Sequence, residues 1–144
     1  MVAVQEDPRV PMISCSIYDK HFEQCLCDLG ASVNIMPKVI FEELQYPALS
    51  PTSVLVQLAD SMIRYPKGII KNMLVRVNSF FTLANFMVMD MEGDLGLHLI
   101  LGRPFLRAAR ARIDIEKGEI CFRVGKEVMF FRFKNRKEER FLVQ

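Results

Sequence analysis

Apolar and polar residues alternate with a period of two along much of the chain, and Gly, Pro, Asn and Asp interrupt the alternation at short intervals. Residues 12–18 (MISCSIY) place Ile13, Cys15 and Ile17 on one face. Asp19-Lys20 is a turn candidate, and residues 21–27 (HFEQCLC) alternate again with Phe22 and Leu26 on one side, which predicts a hairpin. The run VNIMPKVIFEELQ has Pro37 suited to a first helical turn and Ile40 and Leu44 one turn apart, predicting a short helix that stops before Pro47. Residues 53–59 (SVLVQLA) read as a strand that turns at Asp60-Ser61 and returns through MIRYPKGII. Residues 72–78 and 80–89 form a further hairpin around Asn78-Ser79. After a loop over MEGDLGLH come a short buried strand (LILG), a brief helix opened by Pro104, and the strands ARIDI, EICFRV and VMFFRF. Many short strands with two small helices predict a mostly-β domain, built as a closed or folded-over barrel.

At 144 residues, 51% apolar and 25% charged, the chain suits one domain with its own core. Residues 1–10 read as a flexible N-terminal segment, 11–133 as the domain and 134–144 as a basic tail. The apolar runs are too short for a membrane helix, and the first residues lack a signal-peptide core, so a soluble, intracellular protein is expected unless it is cut from a longer polyprotein, its place the cytoplasm, virus-like particles included. The net charge of +2 does not suggest nucleic-acid binding, although Arg132, Lys134, Arg136, Lys137 and Arg140 crowd the end.

Cys15, Cys25, Cys27 and Cys121 are expected as reduced, buried thiols. Cys-x-Cys with only His21 and His98 elsewhere is a poor metal set, so neither metal nor cofactor is expected. His21 and Cys25 on one strand lie about 13 Å apart, too far for a thiol–imidazole pair. Ser-nucleophile and nucleotide-binding motifs are absent. The alternating Met87, Met89 and Met91 read as one face of a core or interface strand, and Phe130, Phe131 and Phe133 as a strand end against the core or a partner.

Asp28 in CLCDLGAS stands out. An apolar strand delivers a carboxylate into a Gly-containing turn, which is costly unless that group is hydrogen-bonded or functional. About 70 residues later LILGRPFL gives an apolar strand, a Gly and a short helix. These segments, with Asn34-Ile35-Met36-Pro37, Val56–Ser61 and Tyr65-Pro66-Lys67-Gly68, resemble the retroviral-type aspartic protease family, most closely the protease segment of plant gypsy-type LTR retrotransposon polyproteins.

The resemblance implies a retropepsin-like fold with one lobe per chain. It places the catalytic aspartate at Asp28, in a catalytic loop with Leu29, Gly30, Ala31 and Ser32. Ala59, Asp60 and Ser61 fall on the substrate-covering flap, Leu101, Gly102 and Arg103 support the catalytic loop, and a short helix runs from Arg103 to Ala109. Carboxylate proteolysis uses two acids sharing one proton. Asp28 is read as the one Asp-x-Gly of the chain, with Asp60, Asp90, Asp94 and Asp114 in other contexts, so a symmetric homodimer is implied, acting on a peptide or polyprotein. Most relatives carry Thr or Ser where this chain has Leu29, and retroviral members often place an acid at Ser32 to pair with the Arg at position 103. A dimeric module that binds peptide without cleaving it is the alternative.

Overall fold

The computed structural model describes residues 2–3, 11–46, 48–57, 63–91, 96–132 and 134–135. In chain order the elements are β1 (Val2–Ala3), β2 (Pro11–Ile17), β3 (Lys20–Cys27), β4 (Asn34–Pro37), α1 (Lys38–Leu44), β5 (Val56–Gln57) and β6 (Ile63–Arg64). They continue with β7 (Gly68–Val77), β8 (Phe80–Met89), β9 (Leu99–Leu101), α2 (Arg103–Ala108), β10 (Arg112–Asp114), β11 (Glu119–Val124), β12 (Glu127–Arg132) and β13 (Lys134–Asn135).

Six strands form a closed ring in the order β2-β3-β9-β4-β8-β7, and β7 returns to β2 through Ser16↔Arg76 and Ile17↔Val75. β13 pairs with the start of β2, opposite Pro11 and Met12, on the edge that β7 meets further along. Two pairs in the ring are parallel, β3 with β9 and β4 with β8. Parallel strands are normally covered on both faces, and the side chains agree. Cys25, Cys27, Leu99, Leu101, Met36, Phe86 and Val88 point into one core, while Leu26, Ile100, Ile35, Met87 and Met89 point into a second. Met91 packs against that second core, so the methionine alternation forms one face of it.

Antiparallel β10, β11 and β12 form a separate small sheet. Its inner face brings Ile120 and Phe122 onto the first core, where Phe122 stacks on Phe80 at 5.7 Å and meets Phe105 of α2 edge-on at 6.3 Å. Phe131 faces that core and Phe130 faces outward, 69% exposed; Phe133 lies outside the described residues.

Four local readings of the sequence need correction. Asn34–Pro37 is a strand rather than the start of a helix, and Pro37 caps α1 from outside it. A short apolar run buried on both faces has no period that separates strand from helix. The first hairpin turns at Tyr18-Asp19, with Tyr18 at φ 54, and Lys20 already pairs with Ile17. Phe22 and Leu26 face different cores, because a β-bulge inserts one extra residue in β3 between Phe22 and Cys25 and inverts the alternation. A second bulge lies between Ile70 and Met73 of β7, where exposed Asn72 takes φ 58 and its N–H donates to Asn85 Oδ1 at 3.0 Å. Of the strand expected over 53–59, residues 53–55 are unpaired by strand and Val56–Gln57 pair with Ile63–Arg64 and with Val2–Ala3, while 58 and 59 lie outside the described residues.

Candidate active site

β3 ends at Cys27, and the next residue is the most buried carboxylate among the described residues: Asp28 is 3% exposed. Its N–H donates to the Leu101 carbonyl at 2.9 Å, which continues the β3–β9 pairing one step past the strand. The Ala31 N–H then closes on the Asp28 carbonyl at 3.2 Å and makes a tight turn over Leu29 and Gly30. In that turn the Gly30 N–H donates to Asp28 Oδ1 at 2.8 Å. A Cβ at Gly30 would lie 3.1 Å from the same oxygen, so the bare glycine is what allows the backbone so near the carboxylate.

The second loop is locked to the first. Gly102 follows β9, and a Cβ there would meet Val33 O at 2.3 Å and Ala31 O at 2.8 Å. Its N–H donates to Asn34 Oδ1 at 2.8 Å, and the Arg103 N–H donates to the Ala31 carbonyl at 2.9 Å. Leu101 is fully buried and pairs with Cys27. Arg103 Nη1 donates to the Leu29 carbonyl at 3.2 Å, so a backbone oxygen of the same loop serves as its partner. Ser32 Oγ is buried, with no hydrogen-bond partner among the described residues. Leu29 turns the other way and is 58% exposed.

Asp28, Leu29, Gly30, Ala31, Ser32, Leu101, Gly102 and Arg103 are thus brought together in one two-loop unit. Ala59, Asp60 and Ser61 lie outside the described residues. The reading of a single Asp-x-Gly needs correction: Asp94-Leu95-Gly96 repeats the pattern, though Asp94 and Leu95 also lie outside the described residues, and Gly96 is an exposed turn residue at φ 79.

Asn34 is the residue that sequence reasoning did not single out. It is 1% exposed, and its Nδ2 donates to the Asn85 carbonyl at 3.0 Å while its Oδ1 holds Gly102. The available signal was a lone amide ahead of the apolar Ile35-Met36, since a buried amide must be hydrogen-bonded.

Beneath the turn lie three buried thiols. Cys15 and Cys25 bring their sulfurs to 3.2 Å. Burial, with the neighbouring Cys15, pushes the Cys25 thiol well above its ordinary pKa. Burial likewise raises Cys27, with further contributions from Cys15 and from Asp28. Cys121 is only partly buried. Among the described residues no group of three or more His, Cys, Asp or Glu side chains is placed to hold a metal ion, and no helix is long and apolar enough to cross a membrane.

Solved structures match this architecture. The retroviral protease-like domain of Ddi1 from Leishmania major superposes with a TM-score of 0.63 at 17% identity, covering 90% of this chain and 94% of that one. The chain has a retropepsin-like fold. No family model and no curated protein matches its sequence. An identity this low speaks for the retropepsin-like barrel alone, not for its chemistry.

Proposed function

We propose that the chain is one protomer of an aspartic endopeptidase in which Asp28 from each of two copies meets at a two-fold axis. One observation carries the reading: within a retropepsin-like barrel, a buried carboxylate stands in a turn at a strand end with one oxygen set by the Gly30 N–H at 2.8 Å. Among the described residues Asp28 stands in the one such turn, and in this reading the second acid comes from a second copy. Two carboxylates brought close cannot both ionise. The unprotonated one takes a proton from a water, and that water attacks the peptide carbonyl. The protonated one polarises the carbonyl oxygen and later supplies the proton to the leaving amine.

The motif order resembles plant gypsy-type retrotransposon proteases, which supports a polyprotein substrate and an intracellular site of action. Four free cysteines accord with a reducing compartment.

A dimeric module that binds peptide without cleaving it is favoured by one feature, the exposed Leu29, which has no hydroxyl to reach across a dimer axis. A peptide-library assay over about pH 4–7, wild type beside Asp28→Asn, separates the two readings. Cleavage by the wild type alone supports the protease. Its absence in both proteins, at concentrations where sedimentation shows a dimer, supports the module.

A further inference from the structure

We infer that His98 is a positioning residue for the Asp28 turn, its imidazole serving as the acceptor that fastens the bulged stretch of β3 to the start of β9. Gln24 lies in the stretch of β3 where the bulge shifts the pairing with β2, and the regular β3–β9 pairs begin one residue later, at Cys25↔Leu99. His98 closes the gap with two bonds. Its N–H donates to the Gln24 carbonyl at 2.8 Å, and the Gln24 N–H donates to His98 Nδ1 at 3.0 Å. A side-chain nitrogen thus stands where a ladder would ordinarily offer a carbonyl.

The ring is held in place by its apolar neighbour. It lies 5.7 Å from the buried Phe22 ring at an interplanar angle of 51°. To accept at Nδ1 the imidazole must be neutral with its proton on Nε2. Downstream the ladder runs Cys25↔Leu99, Leu26↔Ile100 and Cys27↔Leu101, and its last bond is the Asp28 N–H on the Leu101 carbonyl. The clasp and the Asp28 turn are therefore the two ends of one short ladder. They lie about 13 Å apart, so His98 acts through the strands and not by contact.

The inference deepens the protease reading, on which it rests only for its effect on turnover. Its test is amide hydrogen exchange, read by NMR on the labelled full chain for the wild type, His98→Asn and His98→Leu. Asn carries an acceptor oxygen at the position of Nδ1, and Leu does not. In His98→Leu the protection of the Gln24 amide falls about tenfold and that of Asp28 falls with it, while the Phe122 amide in the small sheet is unchanged. In His98→Asn all three stay within about threefold of the wild type. In a peptidase assay kcat falls in His98→Leu and is rescued in His98→Asn, with KM little moved.

Equal Gln24 protection in all three proteins overturns the inference. So does an equal loss in both variants, which makes ring packing alone responsible. An inactive wild type defeats the protease reading, and the Asp28 amide still decides the clasp. If His98→Leu does not fold, His98→Ala, which likewise offers no acceptor, takes its place in the same comparison, and Gln24 protection equal to that of the wild type overturns the inference.

Discussion

Asn34 Oδ1 accepts the Gly102 N–H at 2.8 Å, so one buried side chain of β4 holds the backbone that leaves β9. Its Nδ2 donates to the Asn85 carbonyl of β8; the Gly102 bond is buried and the Asn85 bond partly so. Asn34→Ala removes both bonds and leaves the buried Gly102 N–H and the part-buried Asn85 carbonyl without this partner. The expected loss is about 2–4 kcal/mol in urea unfolding. Asn34→Asp keeps the acceptor but sets a second oxygen against the Asn85 carbonyl. That variant is more stable in acid, where the carboxyl can donate, and loses stability as the pH rises through its elevated pKa.

Gly30 and Gly102 answer differently to one added methyl. In Gly102→Ala the new carbon meets two backbone oxygens, at 2.3 and 2.8 Å, that β4 and the Asp28 turn hold in place. A loss of about 3 kcal/mol or more is expected by thermal or urea unfolding. In Gly30→Ala the nearest atom is the Asp28 carboxylate oxygen, at 3.1 Å, which can give a little. Stability falls by no more than about 1 kcal/mol. Peptidase kcat falls about tenfold or more, because the carboxylate itself is displaced.

The buried thiols set the alkaline limit. A thiol whose pKa rises on folding keeps its proton longer in the folded chain, as Cys25 and Cys27 do. The unfolded chain therefore binds fewer protons above the ordinary thiol pKa of about 8.5, and stability, level through neutrality, falls as the pH climbs past that point. Urea midpoints from about pH 7 to 10 check this, and Cys27→Ala flattens the alkaline slope. At mild pH a thiol-labelling reagent modifies Cys121 first, with Cys15, Cys25 and Cys27 reacting only on unfolding.

Asn72 serves the β7 bulge by its backbone geometry. At φ 58 a β-branched residue is strained, so Asn72→Val costs about 1–2 kcal/mol, whereas Asn72→Gly is close to neutral. Asn85→Ala takes away the acceptor for the Asn72 N–H and costs about 1 kcal/mol. Combining it with Asn72→Val costs less than the sum, and a double-mutant cycle measures the shortfall.

The Asp28 turn was legible because an apolar strand has no cheap way to end in an aspartate, and Gly102 because it follows three buried residues with no polar break. The bulges were not legible. Nothing in His21–Cys27 announces that the alternation inverts, so Phe22 and Leu26 read as one face while the fold sends them to different cores. The β4 strand was hidden for a related reason, since double burial erases the period. The lone amide of Asn34 was visible, but its partner and that of Arg103 were not, because each depends on long-range pairing. Asn34 meets Gly102 only after β4 lies between β8 and β9, and Arg103 finds a backbone carbonyl, which no residue type announces.

The ring closes through two residue pairs between β2 and β7, the last of which joins Ile17 to Val75, nearly sixty positions on. The hairpins on either side of that seam are local and form quickly. The seam, like the still longer-range pairing of β3 with β9, must gather a long loop for a few pairs, so the two are the slow, late events in assembly. A substitution such as Val75→Ala should then raise the unfolding rate and leave the folding rate almost untouched. The barrel would be born as two hairpin-bearing halves and become one wall only at the end, with Asp28 seated on the half that contains the seam's first strand.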